Sequence, residues 1–103
     1  MIIRGTTPTH TFTIPIEATK CDELRAIYSQ NNKAVIKVET DRFTISSDGK
    51  EISCTLTQEE TLMLDCTKHC DIQLRILTKE GVAMASVVQR INVGRCLDNE
   101  VLE

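Results

Sequence analysis

A chain of 103 residues, 41% hydrophobic and 26% charged, is one domain able to bury roughly two-thirds of its unfolded surface without a metal or disulfide. Its net charge of −3 and twelve scattered Lys and Arg residues exclude a basic nucleic-acid-binding face. No run approaches the roughly 20 apolar residues that cross a membrane, and Met1-Ile2-Ile3-Arg4-Gly5 lacks a leader pattern, so the expectation is a protein made in the cytoplasm.

In chain order, Gly5-Thr6-Thr7-Pro8 reads as loop, with residues 1–7 a loose end. His10–Ile16 alternates Phe12, Ile14 and Ile16 with Thr11, Thr13 and Pro15, the period of a strand buried on one face. Pro15 cannot donate to a ladder, which places this strand at a sheet edge. A second strand near 22–30 puts Leu24, Ala26 and Tyr28 on one face, and Asn31-Asn32 supplies a tight turn into a third strand over 34–39.

Arg42–Ser47 and Lys50–Leu56 flank Asp48-Gly49, a dipeptide suited to a two-residue type I′ hairpin loop. That register sets Ser47 against Lys50, Ile45 against Ile52 and Phe43 against Cys54, with the apolar residues meeting on the inner face. Thr57 and Glu60 stand at capping-box spacing, which predicts a short helical turn over 58–64 whose Leu62, Met63 and Leu64 plug one end of the fold.

Asp71–Leu77 is the cleanest strand, with Ile72, Leu74 and Ile76 inward. Lys79-Glu80-Gly81 closes a second hairpin that sets Ile76 opposite Met84 and Ile72 opposite Val88. Inward positions then run Val82, Met84, Ser86, Val88, but Ile91 and Val93 fall out of phase, so a bulge or break is expected near Gln89-Arg90. Residues 96–103 form an acidic, frayed tail whose Leu97, Val101 and Leu102 are candidates for docking. These elements predict an all-β, immunoglobulin-like antiparallel sandwich of seven or eight short strands, one domain spanning residues 1–103.

Candidate chemistry is sparse. Cys66-Thr67-Lys68-His69-Cys70 has a short Cys pair, but Zn2+ sites usually need a second pair elsewhere, and neither His10 nor Cys21, Cys54 and Cys96 forms one. Cys66, His69 and Cys70 therefore read as a loop with partly buried thiols, no metal or other cofactor is expected, and a Cys66–Cys70 disulfide needs oxidation. A Cys70 nucleophile lacks a base, because neighbours such as His69 in an extended chain point to opposite faces. The acids are spread over turns and a helix start, the four glycines are isolated, and no catalytic activity is expected. Docking through a sheet edge or through the Thr- and Ser-rich faces (Thr9, Thr11, Thr13; Ser53, Thr55, Thr57) is the remaining kind of function.

Several stretches occur together in a familiar order: Arg4–Phe12, Tyr28-Ser29-Gln30-Asn31, Leu56–Thr61, Gln73–Gly81, Ala85-Ser86 and Val93-Gly94-Arg95. In this order the chain resembles small structural proteins of phages and prophages of Gram-positive bacteria. It is similar, more loosely, to the N-terminal sandwich domain of upper baseplate proteins of phages infecting lactic-acid bacteria. Cys66, His69 and Cys70 depart from that pattern. The resemblance implies a tail or baseplate component found in the assembled virion, with other phage structural proteins, or further copies of itself in a symmetric ring, as partners. Two alternatives stand beside it: a small host module recognising a peptide or glycan, and a cysteine-dependent redox or metal protein.

Overall fold

A computed structural model describes residues 1–103. Its strands are β1 (Ile2–Ile3), β2 (Thr9–Thr13), β3 (Cys21–Gln30), β4 (Lys33–Val38), β5 (Thr44–Ile45), β6 (Glu51–Thr55), β7 (Cys70–Thr78), β8 (Ala83–Ala85), β9 (Gln89–Ile91) and β10 (Val93–Gly94). One helix, α1 (Gln58–Leu62), lies between β6 and β7. One sheet runs β2-β6-β5, the other β4-β3-β7-β8 with β9 also on β7, and β1 pairs with β10 in parallel. This is the immunoglobulin-like sandwich that the alternation of the strands predicts. The strand count exceeds the expected seven or eight because the last strand is broken into three and β1 is added.

The core lies between the two sheets. Leu24, Ala26 and Tyr28 of β3, Ile36 and Val38 of β4 and Ile72, Leu74 and Ile76 of β7 meet Ile52 and Cys54 of β6. Cys54 acts there as a small hydrophobe. Each aliphatic side chain so buried contributes about 1.5–3 kcal/mol, so this inter-sheet layer is the main stabilising term.

Several local expectations hold. Asn31 (φ 52°) and Asn32 (φ 63°) both adopt the left-handed conformation that the β3–β4 turn needs. Gly81 (φ 91°) ends a three-residue loop after Thr78, and Ile76 lies opposite Met84. The Thr57 hydroxyl accepts the Glu60 N–H while the Glu60 carboxylate accepts the Thr57 N–H, closing the capping box.

Other expectations are corrected. Ile45 does face Ile52, but the turn is not type I′. Only Gly49 (φ 74°) is left-handed; Asp48 instead accepts from the Ser46 hydroxyl and the Lys50 N–H, which holds the turn by side-chain bonds. Strand β5 stops at Thr44, so Phe43 follows a 3-10 turn (Thr40–Arg42) rather than pairing with Cys54, and edge residue Ile45 is left exposed. At the helix end Leu64 is buried (1% exposed), whereas Met63 is 55% exposed and Leu62 only half-buried, because a single turn aims one of three consecutive side chains inward.

The chain start is not loose. Ile2 is fully buried in the core, its N–H bonded to the Asn92 carbonyl, and the Arg4 N–H bonds to Gly94. The tail beyond Arg95 is held by hydrogen bonds rather than apolar docking: Gln58 makes two to the Leu102 backbone and Arg4 one to Asn99, while Leu97 and Leu102 stay exposed.

The largest departure lies in β8–β9. The break falls at Ser86–Val88, earlier than the expected Gln89-Arg90, and the register slips there by one residue: Ile76 pairs with Met84, but Ile72 pairs with Gln89, not Val88. Ser86 causes the slip. Its hydroxyl oxygen accepts the Leu74 N–H in place of a backbone carbonyl, its own N–H bonds to Leu74, and Gln73 caps its carbonyl. The chain leaves the ladder and returns at Gln89. Val82 and Val88 (56% exposed), expected inward, face solvent, as does Val87 (78%), which the alternation already set outward, and Ile91 and Val93 turn toward the core.

Candidate functional site

Cys66, His69 and Cys70 are not assembled into a site. Cys70 opens β7 with its thiol buried and pushed up to a pKa of about 11 by that burial, His69 is exposed and Cys66 half-buried. All five cysteines are free thiols, and no group of three or more His, Cys, Asp or Glu side chains is placed to hold a metal ion.

The polar groups that are drawn together do structural work at two places. The first is the helix end of the sandwich. Glu60 takes both guanidinium nitrogens of Arg42, one at 2.7 Å, in a forked pair that joins the 3-10 turn to α1. This pairing holds the Glu60 carboxyl below the usual carboxylate range and raises Arg42. Gln30, buried at the end of β3, donates to the carbonyls of Asp65 and Lys68 and accepts the Asp65 N–H. Thr61, also buried, accepts the Gly5 N–H and donates to the Thr6 carbonyl, which ties the N-terminal segment to α1. Gln30 continues the inward alternation of Leu24, Ala26 and Tyr28, whereas Thr61 carries no periodic sign, and the bonding partners of both include backbone groups distant along the chain.

The second place is the seam where β2 faces β8–β9. His10 of β2 reaches across the core to Tyr28 of β3: Nδ1 and the phenol oxygen are 2.6 Å apart, with the rings tilted at 5.5 Å. The Tyr28 hydroxyl also lies 3.7 Å from the Cys54 thiol. Burial, and then the Met1 ammonium, lowers the His10 pKa; burial raises those of Tyr28 and Cys54. All three are therefore neutral at pH 7, so this is a sheet-to-sheet clamp and not a charged relay.

Outside that clamp a cleft of about 580 Å³ separates β2 from the Ser86–Ile91 segment. Phe12, Ile72, Leu74, Val87 and Ile91 supply its apolar lining, and Arg90, bonded to Asp71, stands at its rim. The β2 edge beside it is bare. Ile14 donates to the Lys50 carbonyl and Leu56 to that of Pro8, which fixes the alternation of the β2–β6 ladder. His10 and Phe12 aim their backbone groups at β6, whereas Thr9, Thr11 and Thr13 aim theirs away from it, where β2 has no neighbour. One N–H and one C=O on each of these three residues leave six unpaired backbone groups in a row. On the outer face the same threonines form a hydroxyl ladder, Thr9 to Thr55 at 2.8 Å and Thr11 to Ser53 at 3.0 Å. The edge position, read from Pro15, is correct, although β2 ends at Thr13 and Pro15 lies beyond it.

No family model and no curated protein matches the chain. Among solved structures it is similar to the immunoglobulin-like domain of mouse leukocyte-associated immunoglobulin-like receptor 1, seen as a strand-swapped dimer. The TM-score is 0.50 at 12% identity, over 89% of this chain and 83% of that one. It is also similar to the V domain of amphioxus IgVJ-C2, with a TM-score of 0.36 and 8% identity over 90% and 95% of the two chains. The first likeness supports the immunoglobulin-like fold; the second is too weak to add to it. Neither neighbour is a phage protein. No helix is long and apolar enough to cross a membrane.

Proposed function

We propose that the chain is a non-catalytic docking module of a phage or prophage particle, a tail or baseplate component that holds another structural protein subunit by accepting a β-strand. The observation that carries this reading is the bare edge of β2 beside the apolar cleft. An incoming strand there satisfies the outward groups of Thr9, Thr11 and Thr13, and its inward side chains fill the space over Phe12, Ile72 and Leu74. Thiols raised by burial, and so held in the unreactive form, argue in the same direction. The sequence order from Arg4–Phe12 to Val93-Gly94-Arg95 supports the phage setting. In a ring each such contact is repeated by symmetry, so a weak edge contact suffices.

Mass spectrometry of purified particles and of their assembly intermediates tests the proposal. The expected result is this chain present in fixed ratio to the tail proteins; its absence from all of them ends the reading. A host module that recognises an extended peptide would use the same cleft. Pull-down of a peptide by the chain with no phage protein present would favour that second reading.

A further inference from the structure

Four strand edges are open in the two main sheets: β2 and β5 in one, β4 and the β8–β9 segment in the other. Natural sheets discourage unwanted pairing by shortness, charge or irregularity. Three of these edges are protected in that way. Strand β5 has two residues, β4 carries exposed Lys33 and Lys37, and β8–β9 is interrupted at Ser86–Val88 and carries Arg90. The β2 edge has none of these devices. Thr9-His10-Thr11-Phe12-Thr13 is five regular residues with no charged side chain, bounded by Pro8 and by Pro15 so that pairing cannot drift beyond it.

The same five residues read almost identically in both directions about Thr11. We propose that two copies of this chain join along β2, antiparallel, with a two-fold axis through Thr11, so that the two β2-β6-β5 sheets become one continuous sheet. This rests on the docking reading above and names the partner as a second copy. The outward residues pair as Thr11 with Thr11 and Thr9 with Thr13, each pair exchanging two hydrogen bonds, so that all six free groups on each strand are satisfied. The hydroxyl ladder of Thr9 and Thr11 then continues across the axis. On the inner face His10 of one copy falls opposite Phe12 of the other, in the closer of the two pair types, where the rings meet over the cleft. No charge is buried and no like charges meet at the axis, although each copy carries a net charge of −3.

Sedimentation of the full chain over a dilution series tests this. The expected result is a species of twice the 11.6 kDa chain mass that dissociates on dilution. Thr11→Glu and Thr11→Lys each place like charges face to face on the axis, and each alone is expected to weaken the dimer by at least about tenfold. Mixing the two variants is expected to restore a dimer, a rescue that a folding defect cannot produce; a thermal melt of each verifies its fold. A wild-type chain that stays monomeric throughout overturns the inference, as does a dimer that both substitutions leave intact or a mixture that fails to re-pair. A monomeric chain found in particles removes the self-pairing and keeps the docking reading. A dimer absent from particles does the reverse.

Discussion

The two sides of this sandwich finish their backbone hydrogen bonding in opposite ways. At the helix end side chains complete what the strands leave undone: Gln30 takes up three backbone groups of the Asp65–Lys68 loop, Thr61 anchors Gly5 and Thr6, and Glu60 is shared between Arg42 and the α1 cap. At the seam nothing completes the edge, and Ser86 breaks the facing strand with its own hydroxyl. The helix end is sealed and the β2 edge is left open. The lesson is that burial alone does not separate structure from function in a small β-domain; the accounting of backbone donors and acceptors does.

Breaking the sealed end has the largest expected effect. Leu64→Ala removes a fully buried plug and should cost about 2–5 kcal/mol in chemical denaturation, whereas Met63→Ala next to it should cost less than about 0.5 kcal/mol. Equal losses at the two positions would mean that the end is not closed as described. Gln30→Leu keeps the volume but strands the Asp65 N–H and two carbonyls, with an expected cost of about 1–3 kcal/mol and faster proteolysis near Lys68.

Acid separates the two sides by pH window. The Glu60 carboxyl is depressed below 4.5, chiefly by Arg42, so its contribution is whole above that value and is lost as pH falls through the lower folded-state value. His10 is depressed below 6.5 by burial, so the unfolded chain takes up the proton first and the loss begins as pH falls below 6.5. Denaturation against pH should therefore show two steps, the upper removed by His10→Gln and the lower reduced by Glu60→Gln, with Asp48 and Asp65, also depressed by hydrogen bonds, supplying the remainder. A single step unaffected by either substitution contradicts the assignment. The smallest effect belongs to the open side. Thr11→Lys should change monomer stability by no more than about 0.5 kcal/mol, since only its hydroxyl contact with Ser53 is lost.

What could be read ahead from the sequence was local. The capping box at Thr57 and Glu60, the Asn31-Asn32 turn, the Gly81 loop and the inward faces of Leu24–Tyr28 and Ile72–Ile76 depend on residues close in the chain, and all appear as expected. The register of Ile45 with Ile52 survived a different turn, because Asp48 replaced backbone conformation with side-chain bonds. Long-range and side-chain-for-backbone effects were not legible. Pairing of Ile2 with Val93 leaves no periodic mark in two-residue strands. Strict alternation assumes that every residue occupies a ladder position, and Ser86 violates that assumption, which put Val88 on the wrong face. At the candidate site Pro15 disclosed the edge, but the cleft beside it, lined by Ser86 and residues of the displaced segment after it, left no mark in the alternation.

Residue-resolved amide exchange along β2 tests the central claim most directly. In dilute solution the amides of His10, Phe12 and Ile14, which point into the β6 ladder, should exchange slowly, and those of Thr9, Thr11 and Thr13 rapidly. Raising the protein concentration should slow the three threonines alone. Uniform protection from Thr9 to Ile14 in dilute solution, or threonine amides indifferent to concentration, would contradict an open edge that accepts a strand.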